Sequence, residues 1–518
     1  MMRFIVGYHL LLWAMSCRPL LTVAQFTDPF IPEDTGTVLS SQNISAPSFI
    51  GQPFDPKPIA LKHRYTPDVV GFHQDGGNTR TNDWDGPLGE ASRVESRSVP
   101  MSALYWHTDG RLTARSVCDD GQGAYVCIGA FGLDSFDKLG SWAPKGDILH
   151  SPYATVLGSV LLIPSLQGHI FEIERIDSEN GTSFRQLRDI DLASTLPQGY
   201  SGVSSYYDEE GNVWFTAVRL QKTGTVDDSG ILGFATKEGS IHTRTIFNQT
   251  IENSIAVSGR TVYLNTGPLL SSDERNTGHM FAFQADSDGN IEPIWTETYR
   301  VGSVLKPGAL SQGSGSTPAL VGDKYVVMTD NADSQVNLVV YKQFQDKSGS
   351  NLVCEVPLFE PGKSANGNAM IGYYDGSTYS VVINNNHGAK ELQSMSEIED
   401  INCEFNEYSP LAPGITRVDI SEEGECKVRW NLKVRSTSVV SLSTATGLVY
   451  SYTQDEELAK DGGYVWYFTA IDFETGKLAC KVRAGAGGNF NNNFAPTQMS
   501  PHGAIYQVVV GGIAWLSD

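Results

Sequence analysis

Short runs of apolar, β-branched and aromatic residues alternate with polar turns along most of this chain. From residue 101 onward one unit recurs: a small or polar turn, a short apolar strand, a glycine-containing turn, and a β-branched and aromatic strand. We find no convincing long amphipathic helix. Short strands separated by turn residues are typical of all-β proteins and argue against a helical solenoid.

The recurring unit is spaced like the blades of a β-propeller, at roughly 50 to 70 residues for four strands and their loops. Its seven copies begin near residues 150, 201, 253, 315, 366, 437 and 494. The later strands of a blade are also visible, with a tight turn at Asp472–Lys477 whose Asp and Gly suit a left-handed backbone. We therefore predict an all-β fold, a single β-propeller of about seven four-stranded blades over residues 101–518.

The two ends of the chain are expected to close the ring. The last copy has about three strands before Asp518, so an early strand, Ala103–Thr108 or Arg111–Arg115, is predicted to supply its outer strand. Residues 25–100 are rich in Pro, Gly, Asn and Asp and predict an extended N-terminal arm. Residues 1–24 combine a basic start, a short apolar core and small closing residues, which predicts a signal peptide.

Cysteines and sequons agree with a secretory route. Of seven cysteines, Cys17 leaves with the signal peptide, and an even number remains for disulfides. Cys118–Cys127 is the first predicted pair, because a short polar loop joins them, and Cys403–Cys426 is the second. Metal ligation is the weaker interpretation, since no C-x-x-C motif or histidine cluster accompanies them. The predicted glycosylation sites are Asn43, Asn180 and Asn248.

The formal net charge is −22, from 59 acidic and 37 basic residues, and no cluster of Lys and Arg occurs. Nucleic acid and anionic membrane surfaces are therefore disfavoured partners. No stretch is long and apolar enough to predict a membrane span. We expect a secreted or secretory-lumen glycoprotein, with an oxygenated, partly apolar small molecule as its partner.

Polar residues cluster where the predicted innermost strands begin, at the mouth of the central channel. A ring of neutral donors and acceptors is suited to orienting a neutral, oxygenated ligand, although such groups also satisfy strand-start backbone groups and channel water. No cofactor or metal is expected at this ring. The candidates for polar orientation in catalysis are His150, Ser316, Asn366, Asn368, Thr437 and Asn492. The candidates for substrate binding are Tyr153, Ser201, Tyr206, Asn253 and Phe494.

Two short motifs carry a resemblance to a known superfamily. The strand–Asp-x-x-Thr-Gly-Lys–strand unit at 467–480 and the Thr-Pro-x-x-x-Gly-x-x-Tyr unit at 317–325 resemble repeats of the quinoprotein-dehydrogenase-like propellers. The segments at 313–320 and 329–333 are also similar to those of the fungal hetero-Diels–Alderases. That resemblance implies a cofactor-free pericyclase that joins a tropolone quinone methide to a humulene-type sesquiterpene.

Other functions fit the sequence as well. A pericyclic reaction needs partners held in a near-attack geometry and a hydrogen bond to the activated oxygen, without a nucleophile or metal. A non-catalytic secreted binding propeller would need no reactive motif either. A calcium- or quinone-dependent dehydrogenase or lactonase is the third possibility. Oxygen ligands for calcium could come from Glu252, Asp330, Asn331 and Asn385, although Asp330-Asn331 also fits a loop turn.

Overall fold

The computed structural model describes residue 32 and residues 34–121, 123–133, 135–149, 152–219, 228–270, 276–303, 305, 311–345, 349–390 and 400–518. The predicted signal peptide at 1–24 and the candidate His150 lie outside these residues. Before the blades begin, the arm forms four short strands. They are β1 (Phe49–Gly51), β2 (Val70–Gly71), β3 (Thr81–Asn82) and β4 (Arg93–Arg97).

The rest of the described chain forms eight antiparallel blades of one β-propeller, which confirms the predicted fold class. Blade one comprises β5 (Met101–Trp106), β6 (Leu112–Asp119), β7 (Ala124–Phe131) and β8 (Lys138–Trp142). Blade two comprises β9 (Thr155–Leu157), β10 (Val160–Pro164), β11 (His169–Ser178) and β12 (Gly181–Asp191). Blade three comprises β13 (Tyr200–Tyr207), β14 (Val213–Arg219), β15 (Gly230–Ala235) and β16 (Ile241–Ile246). Blade four comprises β17 (Gln249–Thr250), β18 (Ala256–Ser258), β19 (Thr261–Pro268), β20 (Thr277–Ala285) and β21 (Ile291–Arg300).

The second half of the ring repeats the pattern. Blade five comprises β22 (Ala319–Val321), β23 (Tyr325–Thr329), β24 (Asn337–Lys342) and β25 (Leu352–Pro357). Blade six comprises β26 (Ile371–Tyr374), β27 (Tyr379–Asn384), β28 (Ile415–Ile420) and β29 (Cys426–Leu432). Blade seven comprises β30 (Ser441–Ser443), β31 (Leu448–Gln454), β32 (Val465–Asp472) and β33 (Leu478–Ala486). Blade eight comprises β34 (Thr497–Met499), β35 (Ile505–Val509) and β36 (Gly512–Ser517), completed by β4.

Ring closure uses a strand earlier than either expected one. β36 pairs with β4, so the outer strand of blade eight is Arg93–Arg97. The two candidate closing strands, Ala103–Thr108 and Arg111–Arg115, instead lie in the first two strands of a separate blade. The seven predicted copies therefore correspond to blades two to eight, and the prediction of about seven is one blade short.

Burial explains why these sequences become strands. β32, Val-Trp-Tyr-Phe-Thr-Ala-Ile-Asp, is buried throughout, because both faces of a middle strand pack against neighbouring blades. The outer strand β12 alternates between exposed and half-buried positions over most of its length, because only one of its faces meets the protein. The turn after β32 follows the prediction, with Gly476 at φ +68° and Asp472 accepting the N–H groups of Glu474 and Thr475.

Helices are few in the described part of the chain. A five-residue helix, α1 (Glu456–Lys460), is capped by the Asp455 side chain, and 3-10 turns occur at Glu404–Asn406 and Gly488–Phe490. Within the residues described, no helix has the length and apolar character needed to cross a membrane.

Candidate functional site at the two ends of the channel

The N-terminal arm crosses one end of the propeller, which we call the lower end. β1 pairs with the outer strand β33 of blade seven. The arm then passes the turns that follow the innermost strands of blades seven, six, five and four. It bonds there to the backbone of Thr446, Tyr374, Gly322 and Gly259. The lower end is thus the end at which the innermost strands finish.

Residues 70–82 of the arm, the plug, then enter the channel and pair with its walls. β2 pairs with β9 of blade two, and β3 pairs in parallel with β30 of blade seven. Between them, the carbonyl groups of Gly76, Gly77 and Thr79 accept the N–H groups of Val257, Leu320 and Gly372 from blades four, five and six. Tyr206 of blade three donates its hydroxyl to Asn78 Oδ1 at 3.0 Å. Arg80 adds a hydrogen bond to Thr497 of blade eight. The plug is therefore hydrogen-bonded to seven blades, two to eight.

Arg80 anchors the plug to blades seven and eight. Its side chain is 1% exposed and donates to the carbonyl groups of Val440, Phe72 and Thr497 and to Ser441 Oγ. Its backbone is left-handed, with φ +53°. Arg suits this position because its planar group presents five donors in fixed directions.

The opposite, upper end is where the innermost strands begin, and there the predicted polar residues meet. We call Tyr153, Asn253, Ser316, Asn366, Asn368, Thr437 and Asn492 the polar belt. In the belt, the Tyr153 hydroxyl donates to Asn253 Oδ1 at 3.0 Å, and Asn253 Nδ2 donates to the Gly315 carbonyl group at 2.6 Å. Burial raises the pKa of Tyr153, so its hydroxyl stays protonated and able to donate.

The belt continues around the next four blades, five to eight. Ser316 Oγ accepts the Thr329 N–H at 2.9 Å, and Thr329 Oγ1 donates to Asn366 Oδ1 at 3.2 Å. Asn368 Nδ2 donates to the Thr437 carbonyl group at 3.2 Å, and Thr437 Oγ1 donates to Asn492 Oδ1 at 3.2 Å. The belt residues are thus linked across blades, directly or through Gly315 and Thr329, and the belt forms a hydrogen-bonded frame around the mouth. Their roles toward a substrate stay a prediction.

Three other substrate-binding candidates have different surroundings. Ser201 is buried at the start of β13. Tyr206 contacts the plug through Asn78 rather than the upper mouth. Phe494 is buried next to the belt residue Asn492, and both Asn493 and Phe494 have left-handed backbones, with φ +45° and +64°. Two consecutive non-glycine residues in this region are uncommon, and such strain concentrates at functional sites.

Carboxamides near the mouth have polar atoms without partners in the described structure. They are Gln312 Oε1, Asn386 Nδ2 and Asn493 Oδ1, all buried. Asn386 is 2% exposed and is held on its other side, where its Oδ1 accepts the Gly367 N–H at 3.4 Å. Sequence reasoning missed Gln312 and Asn386, because they lie in irregular loops where Asn and Gln are ordinary turn residues.

A histidine of the plug was also missed. His73 is buried, its ring stacks on Tyr153 with centroids 5.3 Å apart, and neither ring nitrogen has a partner among the described residues. Burial, and secondly the charge of Arg80, lowers the pKa of His73 well below its usual value. The belt therefore contacts a neutral imidazole on the plug side.

The oxygen groups considered for calcium have loop-building partners. Asp330 accepts the N–H groups of Asn337 and Ala332, as expected for a turn, and burial raises its pKa. Asn385 Oδ1 accepts the N–H groups of Ala365 and His387. In the described part of the chain, no three His, Cys, Asp or Glu side chains form a group able to hold a metal ion.

The described residues form two disulfides. Cys118–Cys127 confirms the first predicted pair. The second prediction was wrong: Cys426 pairs with Cys354, and Cys403 is free. Cys403 lies in the connection between the second and third strands of blade six, whereas Cys426 begins β29 next to the outer strand β25 of blade five. The three candidate glycosylation residues, Asn43, Asn180 and Asn248, are all exposed.

Comparison with known proteins defines the fold and little more. No protein-family model matches the sequence. An uncharacterized protein of Archaeoglobus fulgidus is 24% identical over 288 residues, which is 52% of this chain and 52% of that protein. The chain thus spans about half the length of the curated relative it matches.

Among solved structures, the quinohemoprotein alcohol dehydrogenase of Comamonas testosteroni is similar, with a TM-score of 0.51 and 11% identity, over 88% of this chain and 81% of that one. This protein shares the β-propeller fold with that structure. The WD40 domain of SCAP from fission yeast has a TM-score of 0.40 at 10% identity, over 82% of this chain and 97% of that one.

Proposed function

We propose that this propeller is a cofactor-free hetero-Diels–Alderase, which joins a tropolone quinone methide to a humulene-type sesquiterpene at the upper mouth of the channel. The two segments that resemble the fungal enzymes, 313–320 and 329–333, meet at this mouth. The bond from the Thr329 N–H to Ser316 Oγ joins them. The propeller fold is compatible with an enzyme of this kind.

The observation that carries the proposal is the carboxamide of Asn386. Its oxygen is held by Gly367, while its buried N–H donor has no hydrogen-bond partner among the residues that the structure describes. A buried donor without a partner is costly, at about 1–3 kcal/mol, so such a group marks a place where a ligand acceptor would be favourable. The ketone oxygen of a quinone methide is an acceptor of this kind.

The expected catalysis follows from position and polarity. A hydrogen bond from Asn386 to the ketone oxygen would withdraw electron density from the heterodiene and strengthen as the new bonds form. Because hydrogen bonds link the belt residues across blades, the groups around the Asn386 donor would keep their positions during the reaction. Phe494 and Tyr153 would offer apolar surface to the terpene, so both partners stay in one near-attack geometry.

Replacing Asn386 by aspartate is expected to slow formation of the cycloadduct about tenfold at neutral pH, because one hydrogen bond of about 1.4 kcal/mol is lost. Aspartate has nearly the same size and keeps the acceptor for Gly367. The measurement is the rate and enantiomeric ratio of adduct from a quinone-methide precursor and humulenol, by chiral chromatography. The protein is treated with chelator beforehand, and a reaction without protein gives the background.

Two controls make this test specific. Asn290→Asp changes an exposed turn asparagine and should leave the rate unchanged. The rate of Asn386→Asp should partly recover in acid, where a protonated carboxyl group donates again. A wild-type rate and ratio for Asn386→Asp would contradict the role of Asn386. A wild-type product mixture identical to the background would contradict the cyclase for this substrate pair.

We also propose that the protein is secreted and glycosylated. Expression through a eukaryotic secretory pathway is expected to give glycans on Asn43, Asn180 and Asn248, because the asparagine of each sequon is exposed. Peptide-N-glycosidase treatment should lower the mass, and Asn→Gln variants should each remove one glycan. An intact mass equal to the bare polypeptide in the secreted sample would contradict this assignment.

A further inference from the structure

A separate cavity lies at the lower end, between arm residues 61–69 and the plug. Its volume is about 150 Å³, and its wall includes Gly322, Gly372 and Tyr374 of blades five and six. A cavity of about this volume is large enough for one six-membered ring. Because the arm builds most of its wall, this lower cavity is distinct from the polar belt at the upper mouth.

Negative charge predominates in the lower cavity. Three carboxylates line it, Asp68, Asp75 and Asp83, against one guanidinium, Arg64. Arg64 is already bonded to Asp83 at the exposed rim. A cationic ligand would therefore be attracted and an anionic one repelled.

Asp75 is the innermost of these carboxylates. It accepts hydrogen bonds from the Thr79 N–H at 3.0 Å and from Thr79 Oγ1 at 2.7 Å. Burial nonetheless raises the pKa of Asp75 to about 6. The ionised carboxylate is thus short of stabilising charge, which an added cation would supply.

The electrostatic surroundings of Asp75 come from several elements. Burial raises the pKa of Tyr65 well above its usual value and lowers that of His63, so both are neutral near pH 7. The titratable and charged groups that face this region are His63, Arg64, Tyr65, Asp68 and Asp83 of the arm, Tyr206 of blade three, Asp323 of blade five and Tyr374 of blade six.

Asn82 supplies an independent sign of a missing partner. It lines the lower cavity, is 3% exposed, and neither Oδ1 nor Nδ2 has a hydrogen-bond partner among the described residues. Its oxygen is an acceptor for a ligand N–H group. Tyr65, Trp84 and Tyr374 add aromatic rings to the wall, and aromatic faces attract organic cations.

We propose that the lower cavity binds a small organic ammonium ion, with Asp75 and Asn82 as acceptors for its N–H groups and with Tyr65 and Trp84 beside its carbon skeleton. A metal ion is a poorer match, because the carboxylates do not converge into a three-ligand group in the described structure. This inference does not depend on the cyclase proposal, which concerns the opposite end of the channel.

The test is a calorimetric and NMR titration of the whole protein with benzylammonium, benzyl alcohol and benzoate at pH 7.5 and pH 5. Benzylammonium stays protonated at both pH values, whereas Asp75 is about nine-tenths neutral one pH unit below its pKa. Benzylammonium should bind about tenfold more weakly at pH 5. Benzyl alcohol should bind more weakly at pH 7.5 without that pH dependence, and benzoate should not bind.

Matched variants assign the effect to one carboxylate. Asp75→Asn should remove the pH dependence and most of the affinity, while Asp288→Asn, an exposed turn residue of blade four outside the cavity, should change affinity less than twofold. Circular dichroism checks that each variant is folded. The comparison of the three ligands at the two pH values uses the wild-type protein and therefore does not depend on any variant. Equal binding of benzyl alcohol and benzylammonium at pH 7.5, or a wild-type affinity unchanged between the two pH values, would overturn the proposal.

Discussion

Replacing Arg80 by alanine is expected to lower the free energy of unfolding by about 4 kcal/mol, because several buried acceptors lose their donor at once. Its guanidinium binds three carbonyl groups and Ser441 Oγ, and joins the plug to blades seven and eight. The side chain is also buried, so its removal leaves a cavity. Urea unfolding followed by tryptophan fluorescence measures the loss.

The matched control for Arg80 lies on the same arm. Arg64 is 62% exposed and forms a surface ion pair, so Arg64→Ala should change stability by less than about 1 kcal/mol. Arg80→Lys should fall between wild type and Arg80→Ala, because an ammonium group cannot reproduce a planar fork of donors. Equal unfolding midpoints for Arg80→Ala and Arg64→Ala would show that the plug contributes no stability through this residue.

Removing the Cys354–Cys426 disulfide is expected to cost up to about 4 kcal/mol, because it closes a long loop in the unfolded chain. The two cysteines are 72 residues apart and connect the outer strands of neighbouring blades. The double variant Cys354→Ser/Cys426→Ser is the appropriate test, since a single variant leaves a thiol that could pair with Cys403. Thermal and urea unfolding of the oxidised proteins give the difference.

The other cysteines provide the comparison. Cys118–Cys127 spans nine residues, so its removal should cost about 2.5 kcal/mol, less than the inter-blade bond. Cys403→Ser should be nearly neutral, because Cys403 is free. A large loss for Cys403→Ser, or a Cys403–Cys426 peptide in non-reduced digests, would contradict the pairing in the structure.

The plug gives the two ends of the channel different chemistry. At the upper mouth, neutral amides and hydroxyls form the polar belt, and carboxamide atoms without a partner among the described residues lie close by. At the lower end, the arm supplies aspartates and aromatic rings around a small cavity. The two binding proposals can therefore be tested separately, with Asn386→Asp at one end and Asp75→Asn at the other.

Several features could be predicted from the sequence because their causes are local. The apolar and β-branched runs specify strands, and Asp472 with Gly476 specifies a hairpin turn through their own backbone preferences. The belt could be predicted because a propeller brings the starts of its innermost strands to one end. Cys118–Cys127 could be predicted because a nine-residue separation brings both ends of a hairpin together.

Other features depend on residues distant in sequence, which a local pattern does not report. Blade one was missed because its strands were also plausible as the closing strand, and only pairing with β36 shows that Arg93–Arg97 takes that place. Cys426 pairs with Cys354 because blades five and six are neighbours in space. Arg80 meets Val440 across 360 residues, in an arm without periodicity.

The sequence by itself therefore determined the strands, turns and propeller class, since these follow from backbone preference and apolar spacing. Only the tertiary structure decided the plug, the lower cavity and the unpartnered amides, since each arises where separate segments exclude water from one another.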